Sequence, residues 1–206
     1  YKNKNIVVIK TKNIRYLLSE FSSKFYKLKP KKLIAVTGTN GKTSVADLYF
    51  QILNLNNIPS ASIGTLGIKY KKKIDKLDLT TPDTLNLHRS LQKINKNNIN
   101  NVIIEASSHG LHQRRLDHLD FKAGIFTNFS QDHLDYHKSM AKYLNAKLHL
   151  FRNVIKKGKV VICDSTVKEF ALIKSISKKR KLKLIDSSKT AEKLKKNNKL
   201  KLNEFQ

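Results

Sequence analysis

The stretch Ile34-Ala35-Val36-Thr37-Gly38-Thr39-Asn40-Gly41-Lys42-Thr43-Ser44 joins a short apolar run to a glycine loop, and the loop ends in Lys-Thr where a helical pattern begins. A strand that feeds a glycine turn at a helix N-terminus makes an anion seat. The glycines let backbone N–H groups turn inward, and the helix end adds partial positive charge. In such a seat a lysine placed like Lys42 reaches the outer phosphates, and a hydroxyl placed like that of Thr43 ligates Mg²⁺. The order of parts implies a nucleoside triphosphate ligand and an α/β domain of the P-loop type. The common eight-residue pattern wants glycine where this chain has Val36, so the loop is a shorter variant over residues 38–43.

The flanking sequence supports that class. Residues 5–9 read as a short apolar strand. Residues 13–28 carry apolar side chains at helical spacing (Ile14, Leu17, Leu18, Phe21, Phe25, Leu28) until Pro30 stops the pattern. Residues 1–30 are therefore expected to be the tail of a preceding domain with its linker, and 31–206 the main domain. Residues 33–37 form its first strand. The helix over 43–55 is expected to bury Val45, Leu48, Tyr49, Ile52 and Leu53. Residues 60–70 alternate around Gly64 and Gly67, which predicts twisted or bulged strands, and 71–76 read as a charged turn. Thr80-Thr81-Pro82-Asp83 opens a helix over 85–94, with Asp83 or Thr81 near the cap and Pro82 in its first turn. Strands follow over 101–106 and 122–127, then a polar loop over 128–137 and a helix over 139–155. Residues 159–163, 167–176 and 183–185 give a further β-α-β passage. From Ser187 onward lysine and asparagine dominate with weak periodicity. Strands alternating with helices predict a mostly parallel sheet with helices on both faces.

The 206 residues carry a formal net charge of +27. The lysines are scattered, isoleucine and asparagine are also abundant, and no aromatic platform lies among basic residues. The charge thus reads as compositional bias that steers anionic substrates inward, and no nucleic-acid partner is expected. The single cysteine, Cys163, excludes a disulfide within the chain and fits a reducing compartment. It sits in the run Val160-Val161-Ile162-Cys163, as a buried strand thiol would. No stretch approaches ~18 continuous apolar residues, so no membrane insertion is expected. The chain starts at Tyr1 and shows no secretory leader; it reads as a fragment of a longer cytoplasmic protein.

A second set of chemical residues follows the first. Val102-Ile103-Ile104-Glu105 ends an apolar strand in a carboxylate, and ligands collect at the carboxyl ends of parallel strands. A carboxylate there can hold Mg²⁺ beside a triphosphate, directly or through water, or it can cap the short helix that follows. Asn128-Phe129-Ser130-Gln131-Asp132-His133-Leu134-Asp135-Tyr136-His137 packs two histidines and two aspartates into one loop. By composition it suits metal binding, phosphate contact or plain loop polarity, and it lacks the spacing of a zinc site.

Four segments occur in order: residues 37–43, the Thr80-Thr81-Pro82-Asp83 turn, Glu105-Ala106-Ser107-Ser108-His109-Gly110-Leu111, and residues 127–137. The set resembles the Mur ligases of peptidoglycan synthesis, most of all their tripeptide-synthetase branch (MurE type). The resemblance spans residues 34–155, and residues 1–30 are similar to the end of that family's uridine-binding domain. It implies a monomeric ATP-dependent ligase that adds a third amino acid, meso-diaminopimelate or L-lysine, to UDP-N-acetylmuramoyl-L-alanyl-D-glutamate through an acyl phosphate. It further implies that Gly38, Thr39, Asn40, Gly41, Lys42, Thr43 and Ser44 hold the ATP phosphates, with Asn128 on the nucleotide side. Thr43 and Glu105 would bind Mg²⁺, and His133 would face a second Mg²⁺. Lys147 matches the lysine that such enzymes carbamylate, which would turn a cation into an anionic oxygen ligand; by itself it reads as a solvated helix lysine. Thr80, Thr81, Ser107, Gln113 and Arg115 match the positions that grip the muramoyl peptide. Residues 202–206 resemble the start of the family's carboxyl-terminal domain. With that domain missing, the fragment alone is not expected to complete ligation. The rival readings are a folylpolyglutamate-synthetase-like ligase, a non-catalytic nucleotide-binding module and a basic nucleic-acid binder.

Overall fold

The computed structural model describes residues 7–197. In chain order the elements are α1 (Ile14–Phe25), β1 (Lys32–Thr37), α2 (Lys42–Leu55), β2 (Ser60–Gly64), β3 (Gly67–Tyr70), β4 (Lys73–Asp75), α3 (Thr84–Lys96), β5 (Asn101–Glu105), α4 (Ser108–His112) and β6 (Phe121–Phe126). There follow α5 (Leu134–His137), α6 (Met140–His149), a π-helical segment (Leu150–Val154), β7 (Val160–Cys163), α7 (Phe170–Arg180), β8 (Lys183–Asp186) and α8 (Ser187–Asn197).

β1 is apolar on both faces, and the chain places it inside the sheet, where both faces are covered. The strand order is β4-β3-β2-β5-β1-β6-β7-β8. β3 and β4 are antiparallel and close one edge; the other strands run parallel. The register sets Val36 beside both Glu105 and Ile125, so β1, β5 and β6 end side by side. One sheet face carries the larger core. There Leu33, Ala35 and Val102 pack under Leu91 of α3, Leu111 of α4 and Leu148 of α6, all at most 1% exposed. The other face carries a smaller cluster in which Ala46 of α2 covers Val36 and Ile103.

Several expectations change. Residues 7–9 form no strand; Val7 and Val8 are 85% and 71% exposed, with no strand beside them among the described residues. Residues 5–6 lie outside the described residues, as do residues 198–206. α1 turns its polar edge inward. Ser19 and Ser23 donate to the carbonyls of Asp117 and His118 (2.5 and 3.1 Å), which leaves Ile14 and Phe25 exposed. On α2, Leu48 and Ile52 are exposed, because the helix meets the sheet along Ala46 with Val45 and Tyr49 beside it. Residues 73–75 of the expected charged turn pair with β3 as an edge strand. Asp83 caps α3 by accepting from Asn86 N (3.0 Å), so Pro82 precedes the cap rather than occupying the first turn. The expected loop over 128–137 contains α5. The expected helix over 139–155 is α6 continued by the π segment, and the tail from Ser187 begins as α8. Cys163 is buried as expected, and burial pushes its thiol up to about 12.

His88 of α3 is wholly buried, and neither ring nitrogen has a partner among the described residues. Burial first, then the charges of Lys29 and His118, lower it to about 4. The folded state thus favours neutral His88, and the unfolded chain takes up the proton first. Stability from this group is complete above about pH 6.5 and is lost as pH falls toward 4, by up to about 3 kcal/mol. His88→Leu removes both orphaned nitrogens. It is expected to raise stability at pH 7 by about 1–2 kcal/mol. His137, also lowered to about 4, keeps part of the acid slope. Urea unfolding at pH 7 and pH 5 checks both effects; a variant less stable than the parent at pH 7 contradicts them.

Candidate nucleotide and ligation site

The glycine loop lies at the carboxyl end of β1 and runs into α2. Its shape is held from β6 and the residues after it. Thr39 N donates to the Asn128 carbonyl (3.0 Å), Asn40 N to Asn128 Oδ1 (2.9 Å), and Thr127 Oγ1 to the Asn40 carbonyl (2.6 Å). Gly38 has φ +151°, and a Cβ there would sit 1.8 Å from Thr127 Oγ1, so this crossing excludes any side chain. Lys42 bends back over the loop and donates to the carbonyls of Gly38 and Thr39 (2.9 and 2.8 Å). Burial lowers its pKa, while Glu105 and Asp132 act to raise it. Ser44 is exposed at the first turn of α2.

Glu105 closes β5, 1% exposed, and faces this loop. Its Oε2 accepts from Thr43 Oγ1 (2.8 Å), and its Oε1 accepts from Thr65 N (2.8 Å). A Cβ on Gly64 would come within 2.0 Å of Oε1, so the bare glycine in β2 makes room for the carboxylate. The sequence thus brings Lys42, Thr43 and Glu105 together on one side of the sheet. The cap of the following helix comes from Ser107, whose Oγ accepts from Gly110 N (3.1 Å). Glu105 is left to the loop.

Lys147 is no solvated helix lysine. It is 1% exposed, its Nζ donates to the Gly38 carbonyl (2.7 Å), and it lies 4.4 Å from the centre of the Tyr143 ring. Burial, then repulsion from Lys42, lowers its pKa to about 7, against an opposing pull from Asp132. His133 has a left-handed backbone (φ +50°) and a half-exposed ring 5.9 Å from that of Tyr143 and 5.0 Å from that of His109. Tyr143 thus has Lys147 and His133 around it, and its hydroxyl lies 3.3 Å from Thr39 Oγ1. Sequence reasoning passed over Tyr143, Thr65 and the facing of Asp132 toward both lysines. The signal for Asp132 was its place in the Asp-His loop. Tyr143 offered only a helical position.

The five residues matched to substrate form one connected line. Thr80 Oγ1 is 3.2 Å from Thr65 Oγ1. Thr81 Oγ1 donates to the Glu105 carbonyl (2.6 Å) and accepts from Ser107 N (2.9 Å). Arg115 donates to the Thr81 carbonyl and, through Nη2, to Gln113 Oε1 (2.6 Å), while Gln113 Nε2 donates to the Tyr136 hydroxyl (3.1 Å). Burial lowers the pKa of Arg115, and a cation held there suits a carboxylate or phosphate. Among the described residues no three His, Cys, Asp or Glu side chains converge as a metal cage. A hard cation would take Glu105 and the Thr43 hydroxyl and draw further oxygens from the nucleotide, as Mg²⁺ does.

The family model described as the Mur ligase middle domain matches residues 36–206. A UDP-N-acetylmuramoyl-L-alanyl-D-glutamate–2,6-diaminopimelate ligase of Rickettsia bellii is 43% identical over 189 residues, covering 89% of this chain and 40% of the relative. The ligase of the same name from Zymomonas mobilis is 42% identical over 192 residues, covering 93% and 39%. A solved structure of such a ligase aligns with a TM-score of 0.70 at 30% identity, over 82% of this chain and 34% of that one. A Mycobacterium tuberculosis folylpolyglutamate synthase solved with ADP aligns at 0.64 and 14% identity, over 84% and 45%, a likeness of fold alone. The chain spans about 40% of the length of the curated relatives it matches.

Proposed function

This chain belongs to the Mur ligase family, whose middle domain it carries, and from that membership we propose that the protein containing it uses ATP to join diaminopimelate to UDP-N-acetylmuramoyl-L-alanyl-D-glutamate. The observation that carries the reading is the Thr43–Glu105 hydrogen bond at the mouth of the glycine loop, with Lys147 on the Gly38 carbonyl of the same loop. Residues 38–44 would cradle the triphosphate, and Asn128 would hold the loop in shape. Glu105 and Thr43 would hold one Mg²⁺; His133 and a carbamylated Lys147 would face a second. Bound there, the ions would neutralise charge on the transferring phosphoryl group. Lys42 would release its two carbonyls and turn to the outer phosphate. Thr80, Thr81, Ser107, Gln113 and Arg115 would fix the muramoyl peptide so that a carboxylate oxygen attacks the γ-phosphorus as its bond to ADP breaks; the incoming amine would then attack the acyl carbon of that acyl phosphate, lose a proton and expel inorganic phosphate.

In this reading residues 1–30 are the tail of a uridine-binding domain, the protein is a cytoplasmic monomer, and this chain alone binds Mg·ATP weakly without completing ligation. The described helices include none long and apolar enough to cross a membrane. The test is an assay of the protein containing this chain with ATP, the UDP-muramoyl dipeptide and diaminopimelate. ADP and tripeptide are expected together. ADP release that requires a folate and glutamate instead would move the chain to the folylpolyglutamate synthetases.

A further inference from the structure

A cavity of about 440 Å³ opens between α4, α5 and α6, beyond Tyr136 from the substrate line. Its apolar floor is Leu111 and Ala146. Arg114, Lys138 and Lys142 stand around it, and the rings of His112, Tyr136 and His149 give it flat walls. Among the described residues no carboxylate lines it. The larger cavity beside α3 differs: Asp75, Asp78 and Asp83 offset Lys76, Arg89 and Lys93 there.

Unfilled hydrogen-bond capacity gathers at the same place. His137 lines the cavity at 4% exposure, its ring packed against Tyr136 and Tyr143. Arg114 commits Nη1 to Asp117 (3.3 Å) and the His149 ring, which leaves Nη2 and Nε without described partners. The Lys142 ammonium also has no described partner, and Lys138 spends one donor on the Asp135 carbonyl (2.6 Å). Arg114 and Lys138 both sit in left-handed backbone, φ +60° and +65°. Such conformations are costly for side-chain residues and are held where the surrounding fold requires them. Asp117 orients Arg114 and His149 from behind (His149 Nε2 to Oδ1, 2.8 Å).

We propose that this cavity is a second ligand site, taking a small phosphate-bearing molecule with a planar body. Arg114 and Lys142 would hold the phosphate, and the aromatic walls with Leu111 and Ala146 would take the plane. The volume suits a group of nucleoside-monophosphate size. The site does not depend on the ligase reading, since none of its phosphate-holding residues belongs to the glycine loop or the substrate line.

Phenyl phosphate is the probe, titrated into the ¹⁵N-labelled 206-residue chain at fixed ionic strength, with phenol and orthophosphate as controls. Amides of residues 111–114 and 136–149 are expected to shift in a saturating manner. Orthophosphate should bind at least tenfold more weakly, and phenol should produce no saturation. Lys142→Met should weaken phenyl phosphate at least fivefold, Arg114→Met at least tenfold, and Lys42→Met not at all. Lys142 is an exposed helix residue, so its variant keeps the test valid if Arg114→Met unfolds. The proposal fails if saturable shifts appear only at residues 38–44, if phenol binds as well as phenyl phosphate, or if Lys142→Met leaves the affinity unchanged.

Discussion

Lys42→Ala is expected to lower ATP-dependent ligation by the protein containing this chain by about 10²–10³-fold, the usual scale for removing one preorganised charge-stabilising donor. The side chain already lies over the loop, partly buried; burial lowers its pKa, while Glu105 and Asp132 favour its charged form and act to raise it. Its two contacts are to backbone carbonyls and not to a carboxylate, so no ion pair must break for it to reach a phosphate. The loop itself rests on Thr127 and Asn128, so the alanine variant should melt within a few degrees of the parent. Steady-state turnover with a parallel melting curve checks this. Full turnover with alanine would mean that the phosphates sit elsewhere.

Lys147→Met is expected to cost a similar 10²–10³-fold in ligation while leaving the fold intact. Methionine fills the buried site and removes a desolvated ammonium, so the melting temperature should not fall. Burial, then the charge of Lys42, brings the Lys147 pKa down to about 7, so a neutral amine is within reach near neutral pH. A neutral amine can add its lone pair to the carbon of CO₂, lose one proton and become a carbamate anion. The sign follows: carbamate formation should grow as pH rises from 6 to 8. A ¹³C carbamate resonance from the chain in labelled bicarbonate, absent in Lys147→Met, is the direct readout. Equal ligation by parent and variant would remove Lys147 from the chemistry.

The glycine loop, the parallel sheet and the helix after β1 were legible because periodicity and turn residues act locally. The facing of Thr43 and Glu105 was legible too, since the loop that carries Thr43 leaves the carboxyl end of β1 and Glu105 closes the neighbouring β5. β4 was not: residues 71–76 are mostly lysine, and an edge strand needs pairing on one side only and tolerates such charge. The outward turn of Leu48 and Ile52 was hidden because helical spacing shows a stripe without showing whether the sheet offers enough surface to cover it. Lys147 was the largest miss from residues alone. Burying a lysine is unfavourable, and what makes it tolerable here, the Gly38 carbonyl and the Tyr143 ring, comes from 109 residues upstream and from the preceding helical turn. The resemblance named the residue; only the fold supplied the surroundings.

The braces on the loop arrive late in synthesis. Thr39 and Asn40 emerge from the ribosome nearly ninety residues before the Thr127 and Asn128 that hold them, and more than a hundred before Lys147. β1 likewise waits for β5 and then β6 to flank it. Contacts so distant along the chain slow folding and prolong exposure of an unpaired central strand. A nascent or truncated chain ending before residue 127 therefore has every loop residue proposed to hold phosphate but lacks the braces that shape the loop, so nucleotide capture by stalled chains of increasing length is expected to time the closure of the fold.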